Sequence, residues 1–197
     1  MCEVIFFIID RIYFSNEEFK RRMEYGEEVL ANYYENNIDS FNKIVLIEHN
    51  IKNVMLDNVP LKGKVDKLEF NGKSVNVVDY KSGDPEKGIK KASPPSEKDP
   101  NGGDYWRQAV FYKILIDNKK DKDWVAVSTE FDFVEPDKKK KYLKKKIVVT
   151  PEDITTVSQQ IKTVWEKIQN RDFYTGCGKE DCSWCEFVKS NNLTVAM

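Results

Sequence analysis

The sequence predicts an α/β fold in which a mixed β-sheet is flanked by helices, and three observations lead to it. Asn71-Gly72 separates two strand-like segments, and this dipeptide is the strongest short signal for a β-hairpin. Strand-like segments form a group of three and then a group of two. Helical patterns precede the first group, separate the two groups and follow the second.

The three helices are predicted from capping residues and apolar spacing. Ser15, followed by two glutamates, predicts the start of a helix that extends to about residue 36. A second helix is expected over residues 104–118. Thr150-Pro151, with two acidic residues behind it, begins a third helix that extends to about residue 170.

The strands are expected over residues 43–55, 59–70, 74–81, 124–134 and 143–149. Residues 83–103, between the third strand and the second helix, contain four prolines and little that is apolar. We expect a loop there, and a loop of this length is usually functional or mobile.

The composition indicates a soluble, globular protein. Hydrophobic residues make up 40% of the 197 residues, charged residues 33%, and the net charge is -1. The overall charge gives no support to nucleic-acid binding, although neutralisation of phosphate is a local matter. No apolar run reaches 18 residues, so we expect no membrane span. The cysteine usage favours a reducing cytoplasm over a secreted disulfide framework.

The chain divides into three expected parts. Residues 1–14 form an apolar segment that we interpret as a strand or buried segment and not as a targeting peptide. Its abrupt apolar start suggests a piece of a longer chain. Residues 15–170 form the core, and residues 171–197 form a cysteine-containing tail that packs on the core, with Trp184 and Phe187 available for that packing.

Two aspartates and a lysine are the candidate chemical centre. Asp79 and Lys81 are two residues apart on a strand, so their side chains point to the same face. A turn whose central residues are Asn71-Gly72 places Asp66 opposite Val77 and diagonally across from Asp79, on that face. The predicted cluster therefore depends on the turn.

Such a cluster suits the hydrolysis of a phosphodiester. Two carboxylates on a rigid hairpin can bind a hard divalent cation such as Mg²⁺, and a lysine can orient water or neutralise charge on the phosphate. The alternative is a charge ladder on the protein surface. Against it, Val75, Val77 and Val78 form a continuous apolar run, typical of a strand covered on both faces, where unpaired charge is costly.

Three motifs together carry a resemblance to a known family. Gly63-x-x-Asp66, the run from Val78 to Gly83 that includes Asp79-Tyr80-Lys81, and Gln108-x-x-x-Tyr112 occur in this order. The sequence from about residue 15 to 187 resembles the PD-(D/E)XK nuclease superfamily, specifically the RecB and AddB type found at the C-terminal end of UvrD-like DNA helicases. The resemblance implies a restriction-endonuclease-like core.

The resemblance also implies roles for individual residues. Asp66 and Asp79 are implied as ligands of Mg²⁺ or Mn²⁺, with the backbone carbonyl of Tyr80 as a possible third, and Lys81 as the catalytic lysine. Two residues that share one face of the second helix are implied to contact the lysine or the DNA, unless they only pack that helix: Gln108 and Tyr112.

The chain departs from the family on the first helix. The family's Gly-x-x-x-His pattern has Leu30 at the histidine place, four residues after a glycine. Glu48 is the favoured substitute carboxylate, and Glu27 is the other candidate. His49 neighbours Glu48 on the strand and points to the opposite face, so we interpret it as a surface or packing residue.

Cysteines and lysines supply two further candidate sites. Cys177, Cys182 and Cys185, with Cys2 upstream, match the number of ligands of a [4Fe-4S] cluster or zinc site but not the usual spacing, so thiols in a packed tail are the favoured alternative. Seven lysines fall between residues 138 and 146, either as a hairpin that contacts phosphate or as a solvated turn. The candidate DNA-binding residues are Lys138, Lys141, Lys144, Trp106 and Arg107, and for Trp106 burial in the protein is the favoured alternative.

The resemblance, together with the predicted carboxylate and lysine cluster, implies an Mg²⁺-dependent DNA exonuclease domain that acts on single-stranded DNA or duplex ends. A helicase motor would work with it in repair or recombination. Because no Walker A pattern is present here, the motor would lie elsewhere, in the same or a partner chain. The alternative hypothesis is a nuclease-like DNA-binding or scaffolding module of a helicase complex that has lost catalysis, which the leucine at the histidine place motivates.

Overall fold

The computed structural model of the chain describes residues 14–172 and 182–191, and it contains five helices and five strands. The helices are α1 Asn16–Asn37, α2 Pro85–Lys90, α3 Asp104–Asp117, α4 Pro151–Gln169 and α5 Ser183–Ser190, with a short 3₁₀ helix at Ile38–Ser40. The strands are β1 Val45–Leu56, β2 Val59–Asn71, β3 Ser74–Lys81, β4 Val125–Phe133 and β5 Lys144–Ile147. The expected fold class, a mixed sheet flanked by helices, is confirmed. None of the helices in the described residues is long and apolar enough to cross a membrane.

Most helix ends agree with the capping residues that predicted them. Ser15 and Thr150 both form capping boxes with the acidic residue three positions later. The expectation of a loop throughout residues 83–103 is wrong, because α2 lies within it. Asp84 accepts hydrogen bonds from the first backbone N–H groups of α2, and Pro85 occupies its first position.

The five strands form one sheet in the order β1-β2-β3-β4-β5. Neighbouring strands are antiparallel except β3 and β4, which are parallel and are connected through α3. This crossover carries α3 over one face of the sheet. The side chains of β3 that point to this face therefore meet residues of α3.

The turn between β2 and β3 differs from the expected one. Asn71 pairs with Ser74, so Gly72 and Lys73 are the central residues, and Gly72 has the positive φ of 60° that its position requires. Asn71-Gly72 as the centre of the turn is therefore wrong. The pairing partner changes by two residues, and side chains alternate with a period of two, so no side chain changes face.

The corrected register brings the two aspartates closer than expected. The last pair of the ladder joins Lys67 to Val78. One residue further along, Asp66 is level with Asp79 and not with Val77, which pairs with Leu68. The two carboxylates are therefore direct neighbours across the hairpin.

The main core lies between the sheet and α3. Leu68 and Val77 from the sheet meet Tyr112 and Leu115 from the helix, all buried. A Cβ at Gly63 would lie 2.5 Å from the side chain of Leu115, so glycine allows the close approach of α3 to β2. This packing fixes the distance between α3 and the β2-β3 hairpin at Gly63, three residues before Asp66.

A second core lies between α3 and α4. Val157 of α4 is buried against Trp106 and Val110 of α3. The indole Nε1 of Trp106 donates a hydrogen bond to Asp153, 3.2 Å away, in the capping box of α4. The start of α4 is thus fastened to the start of α3.

Candidate active site

Asp79, near the end of β3, is the centre of the site and is only 4% exposed. Its Oδ1 lies 2.5 Å from Nζ of Lys81. Its Oδ2 accepts hydrogen bonds from the hydroxyl of Tyr112 at 2.6 Å and from Nε2 of Gln108 at 2.8 Å. A buried carboxylate needs such partners, because desolvation of an unpaired charge is costly.

Gln108 joins the other members of the site. Its Nε2 is 2.7 Å from the hydroxyl of Tyr112, and its Oε1 accepts a hydrogen bond from Nζ of Lys81 at 2.9 Å. Gln108 and Tyr112 are four residues apart and share one face of α3. The structure therefore brings Asp79, Lys81, Gln108 and Tyr112 together, and the two helix residues do more than pack α3.

Burial raises the pKa of the Tyr112 phenol, and its hydrogen bond to Asp79 and the charge of that carboxylate raise the pKa further. The phenol therefore stays protonated at neutral pH and acts as a hydrogen-bond donor. The Lys81 ammonium also lies 4.8 Å from the ring centre of Tyr105 and 5.4 Å from that of Phe131. The lysine is thus held on one side by rings and on the other by polar groups.

Asp66 lies beside this network. Its Oδ2 accepts a hydrogen bond from the backbone N–H of Tyr80 at 2.9 Å. Burial raises the pKa of the Asp66 carboxyl, the nearby charges of Asp79 and Glu48 also raise it, and the hydrogen bond and Lys81 oppose the rise. The two aspartates are therefore close enough to repel each other when both are ionised.

Glu48 and His49 lie on β1, next to the hairpin. The charge of Glu48 acts on Asp66, but its carboxylate forms an ion pair with Lys64 and is largely exposed. His49 packs edge-on against Trp124, with ring centres 5.6 Å apart, which agrees with its interpretation as a packing residue.

The donor set fits a hard divalent cation. Among residues 14–172 and 182–191, no group of three or more His, Cys, Asp or Glu side chains is arranged to hold a metal ion. Mg²⁺ does not require one, because it is usually held by one or two carboxylates and keeps several water ligands. Asp66 and Asp79 supply two carboxylates whose mutual repulsion a cation would relieve.

A comparison with protein-family models decides the family. The model described as the PD-(D/E)XK nuclease superfamily matches residues 9–190, nearly the whole chain. The chain belongs to the PD-(D/E)XK nuclease superfamily. It is therefore a member of a superfamily of nucleases.

Two solved structures resemble this superfamily member at low identity. One is a candidate exonuclease from Eubacterium rectale, with 13% identity and a TM-score of 0.47 over 82% of this chain. The other is the protein SSO0001, with 14% identity and a TM-score of 0.41 over 83% of this chain. The matches cover 58% and 65% of those two chains. No curated protein matches the sequence.

The position on α1 where the family pattern has a histidine lies on the surface of this superfamily member. Leu30 is 59% exposed on α1 and belongs to none of the buried clusters. Tyr33 of α1 is buried, and its hydroxyl donates to Asp132 on β4 at 2.6 Å. This contact is not predictable from the sequence, because nothing in the local spacing links two positions 99 residues apart.

Two of the candidate DNA-binding residues are corrected by their surroundings. Trp106 is 2% exposed, so it offers no ring face for stacking on a base. The guanidinium of Arg107 donates hydrogen bonds to the carbonyls of Asn101 and Gly102 and to Asp104. It therefore holds the loop before α3 and has few donors left for a phosphate.

The lysines differ among themselves. Lys144 lies 2.7 Å from Asp132 and 3.8 Å from Glu130, so its charge is already paired. Lys138 and Lys141 are exposed on a turn. Lys138 and Lys141 therefore keep the exposure that contact with a nucleic-acid backbone needs, whereas Lys144, although also exposed, shares its charge with two acids.

The candidate cysteine site lies mostly beyond what the structure describes. Cys2 and Cys177 fall outside the described residues, while Cys182 and Cys185 lie at the start of α5. Trp184 and Phe187 of α5 are exposed, so they do not supply the packing on the core that we expected.

A groove of about 1560 Å³ opens beside Gln108, between α3, α4, the first residues of β2 and the segment that precedes α3. Besides two acidic residues, its lining includes aromatic and basic side chains, namely Phe111, Trp165, Lys90, Lys91 and Arg107. Gln108 therefore belongs both to the candidate active site and to the wall of this groove.

Proposed function

We propose that this domain is a DNA exonuclease that depends on Mg²⁺ or Mn²⁺ and works with a helicase motor in the same or a partner chain. The observation that carries the proposal is the buried network in which Lys81, Gln108 and Tyr112 all bind Asp79, with Asp66 level with it across the hairpin. A charge ladder on the surface would not be buried or share a helix glutamine in this way.

Each residue of the network has a role in the proposed reaction. Asp66 and Asp79 would hold the cation, with the Tyr80 carbonyl as a third oxygen. The bound ion would hold a phosphate oxygen and lower the pKa of a water ligand. Lys81 would orient the attacking water or neutralise charge on the phosphate. Gln108 would orient the ammonium of Lys81 through the 2.9 Å hydrogen bond that its Oε1 accepts.

The substrate and the partner are parts of the proposal with different support. Membership of the nuclease superfamily supports a nucleic-acid substrate. The groove beside Gln108 offers a path for a strand to the site, and the exposed Lys138 and Lys141 offer charges for its phosphates. The helicase motor rests on the sequence resemblance and a cytoplasmic location on the cysteine usage, and both remain expectations.

The test is a cleavage assay with single-stranded and duplex DNA, labelled at one end, in Mg²⁺ or Mn²⁺. We expect stepwise shortening from an end by the wild-type domain, and loss of cleavage in Asp79→Asn and Lys81→Ala. Asp123→Asn is the matched control, because it removes an exposed carboxylate that pairs with Lys73 on the surface. Cleavage that survives in both site variants would refute the assignment of the site.

The alternative function is a nuclease-like scaffolding or DNA-binding module without turnover. Leu30 at the histidine place favours it, and so does the occupation of both Asp79 oxygens by protein groups, with which a cation must compete. DNA binding that Asp79→Asn leaves unchanged, together with no cleavage by the wild type in either metal, would support this alternative over the nuclease.

A further inference from the structure

The face of the sheet opposite the candidate active site carries a second buried network. Its centre is Asp132 on β4, which is 1% exposed and pairs with Tyr80 in the parallel ladder. Its Oδ2 accepts a hydrogen bond from the Tyr33 hydroxyl at 2.6 Å and lies 2.7 Å from Nζ of Lys144. Because side chains alternate along β3, the rings of this network lie on the face that Asp79 does not use.

The side chain of Tyr80 contacts this network. The rings of Tyr33 and Tyr80 meet edge to face, with centres 6.1 Å apart and planes at 84°. The ammonium of Lys67 lies 5.2 Å from the centre of the Tyr80 ring and is itself paired with Glu69 at 3.0 Å. An edge-to-face contact and a nearby cation both favour one orientation of the ring.

The backbone of the same residue belongs to the candidate active site. The N–H of Tyr80 donates to Oδ2 of Asp66 at 2.9 Å, and Tyr80 lies between Asp79 and Lys81. A shift of the Tyr80 side chain on one face therefore moves the hydrogen bond that holds Asp66 on the other. Groups that hold a metal ligand in this indirect way commonly affect metal affinity.

The Tyr33 hydroxyl is a sensitive point in the network. Among the described residues, Oδ1 of Asp132 is buried and has no hydrogen-bond partner, so the carboxylate depends on the two groups at Oδ2. Removal of the hydroxyl leaves only Lys144 to stabilise it, and a buried charge that loses a partner must move or be destabilised. The movement would be transmitted to Tyr80, the direct neighbour of Asp132 in the ladder.

We propose that Tyr33 is a positioning residue: through Asp132 and the Tyr80 ring, it holds the backbone of Tyr80 in the place where it orients Asp66 for a divalent cation. The inference rests on the proposed metal-dependent nuclease function. It assigns to α1 an indirect part in the site, although α1 carries Leu30 where the family has a metal-binding histidine.

The test variant is Tyr33→Phe, which keeps the ring and removes only the hydroxyl. We expect its affinity for Mn²⁺, measured from free Mn²⁺ by electron paramagnetic resonance, to fall on the order of tenfold. In the nuclease assay, kcat should fall while KM for DNA stays nearly unchanged. Tyr34→Phe is the matched control, because Tyr34 is the exposed neighbour on α1, and we expect it to retain wild-type affinity.

A second control separates positioning from a general loss of stability. Val157→Ala truncates a buried side chain between α3 and α4, so it should lower the melting temperature and leave Mn²⁺ affinity unchanged. If Tyr33→Phe does not fold, Tyr33→Phe combined with Asp132→Asn removes the stranded charge and should restore folding. The reduced Mn²⁺ affinity should persist in that double variant, and a restored affinity would overturn the inference.

The outcomes for the two proposals can be told apart. If Asp79→Asn abolishes metal-dependent cleavage and Tyr33→Phe matches the wild type in Mn²⁺ affinity and kcat, the inference fails and the proposed function stands. If the wild type neither binds Mn²⁺ nor cleaves DNA, the proposed function fails and the inference fails with it. A tenfold weaker Mn²⁺ affinity of Tyr33→Phe supports the inference even in a wild type that binds the ion without cleaving.

Discussion

Removal of the Tyr112 hydroxyl is the sharpest test of the network at Asp79. Tyr112→Phe keeps the ring in the main core and deletes one oxygen that makes two hydrogen bonds, to Asp79 at 2.6 Å and to Gln108 at 2.7 Å. A hydrogen bond to a charged group contributes about 1.5–3 kcal/mol, and a neutral one about 1 kcal/mol. Asp79 keeps Lys81 and Gln108, so the lower end applies and the expected loss is about 2.5 kcal/mol.

The assay is thermal unfolding followed by circular dichroism without divalent cations. A loss of about 2.5 kcal/mol in a domain of this size lowers the melting temperature by roughly 5–10 °C. Tyr105→Phe is the control, because its ring stacks on Phe131 while no hydrogen bond of its hydroxyl is found among the described residues. Equal melting temperatures for the two variants would refute the view that Asp79 is held by Tyr112.

Three further predictions concern metal binding, packing and capping. Mn²⁺ at about one hundred times its dissociation constant should stabilise the wild type by about 2.7 kcal/mol, and a melting curve of Asp66→Asn should show little of this gain. Gly63→Ala, whose Cβ would lie 2.5 Å from Leu115, should lose about 1–3 kcal/mol in urea unfolding, whereas Gly26→Ala, with open space around it, should not be destabilised. Asp153→Ala loses a capping hydrogen bond and one to a buried indole, so its unfolding free energy should fall by about 2 kcal/mol, and an unchanged value would contradict that assignment.

The face of the hairpin was predictable although its turn was not. The sequence predicts a turn centred on Asn71-Gly72, and in the structure the turn is centred on Gly72-Lys73. Both turns keep Asp66 on the face of Asp79, because the pairing changes by two residues and the side-chain period is also two. The sequence can therefore predict which face of the sheet a side chain occupies. The residue it pairs with across the hairpin depends on the turn that the packed strands adopt.

Residues whose partners are distant in sequence were the ones the sequence could not place. Trp106 was a candidate for stacking on bases, with burial as the favoured alternative, and its hydrogen bond to Asp153, 47 residues away, confirms the burial. Lys144 was a candidate for phosphate contact, and it is paired with two acids on the neighbouring strand. An aromatic or basic residue has the same local appearance whether it is buried or exposed, so only the tertiary structure separates the two cases.

The first helix explains why a nuclease-like site can keep its geometry when the histidine place holds leucine. α1 forms hydrogen bonds at two points that flank the C-terminal end of β3. Tyr25 donates to Glu135, whose carboxylate also accepts the backbone N–H of Gly83, two residues beyond Lys81. Tyr33 donates to Asp132, the ladder partner of Tyr80.

These two attachments hold the stretch from Tyr80 to Gly83 between fixed points on α1. The stretch includes Lys81, so the backbone of the lysine is held from α1. A histidine ligand on α1 could be replaced by a ligand from another element. A helix that holds the end of β3, in contrast, is needed for the positions of Asp66, Asp79 and Lys81 alike. For this chain, the polar contacts of α1 are therefore a better guide to an intact site than the identity of the residue at position 30.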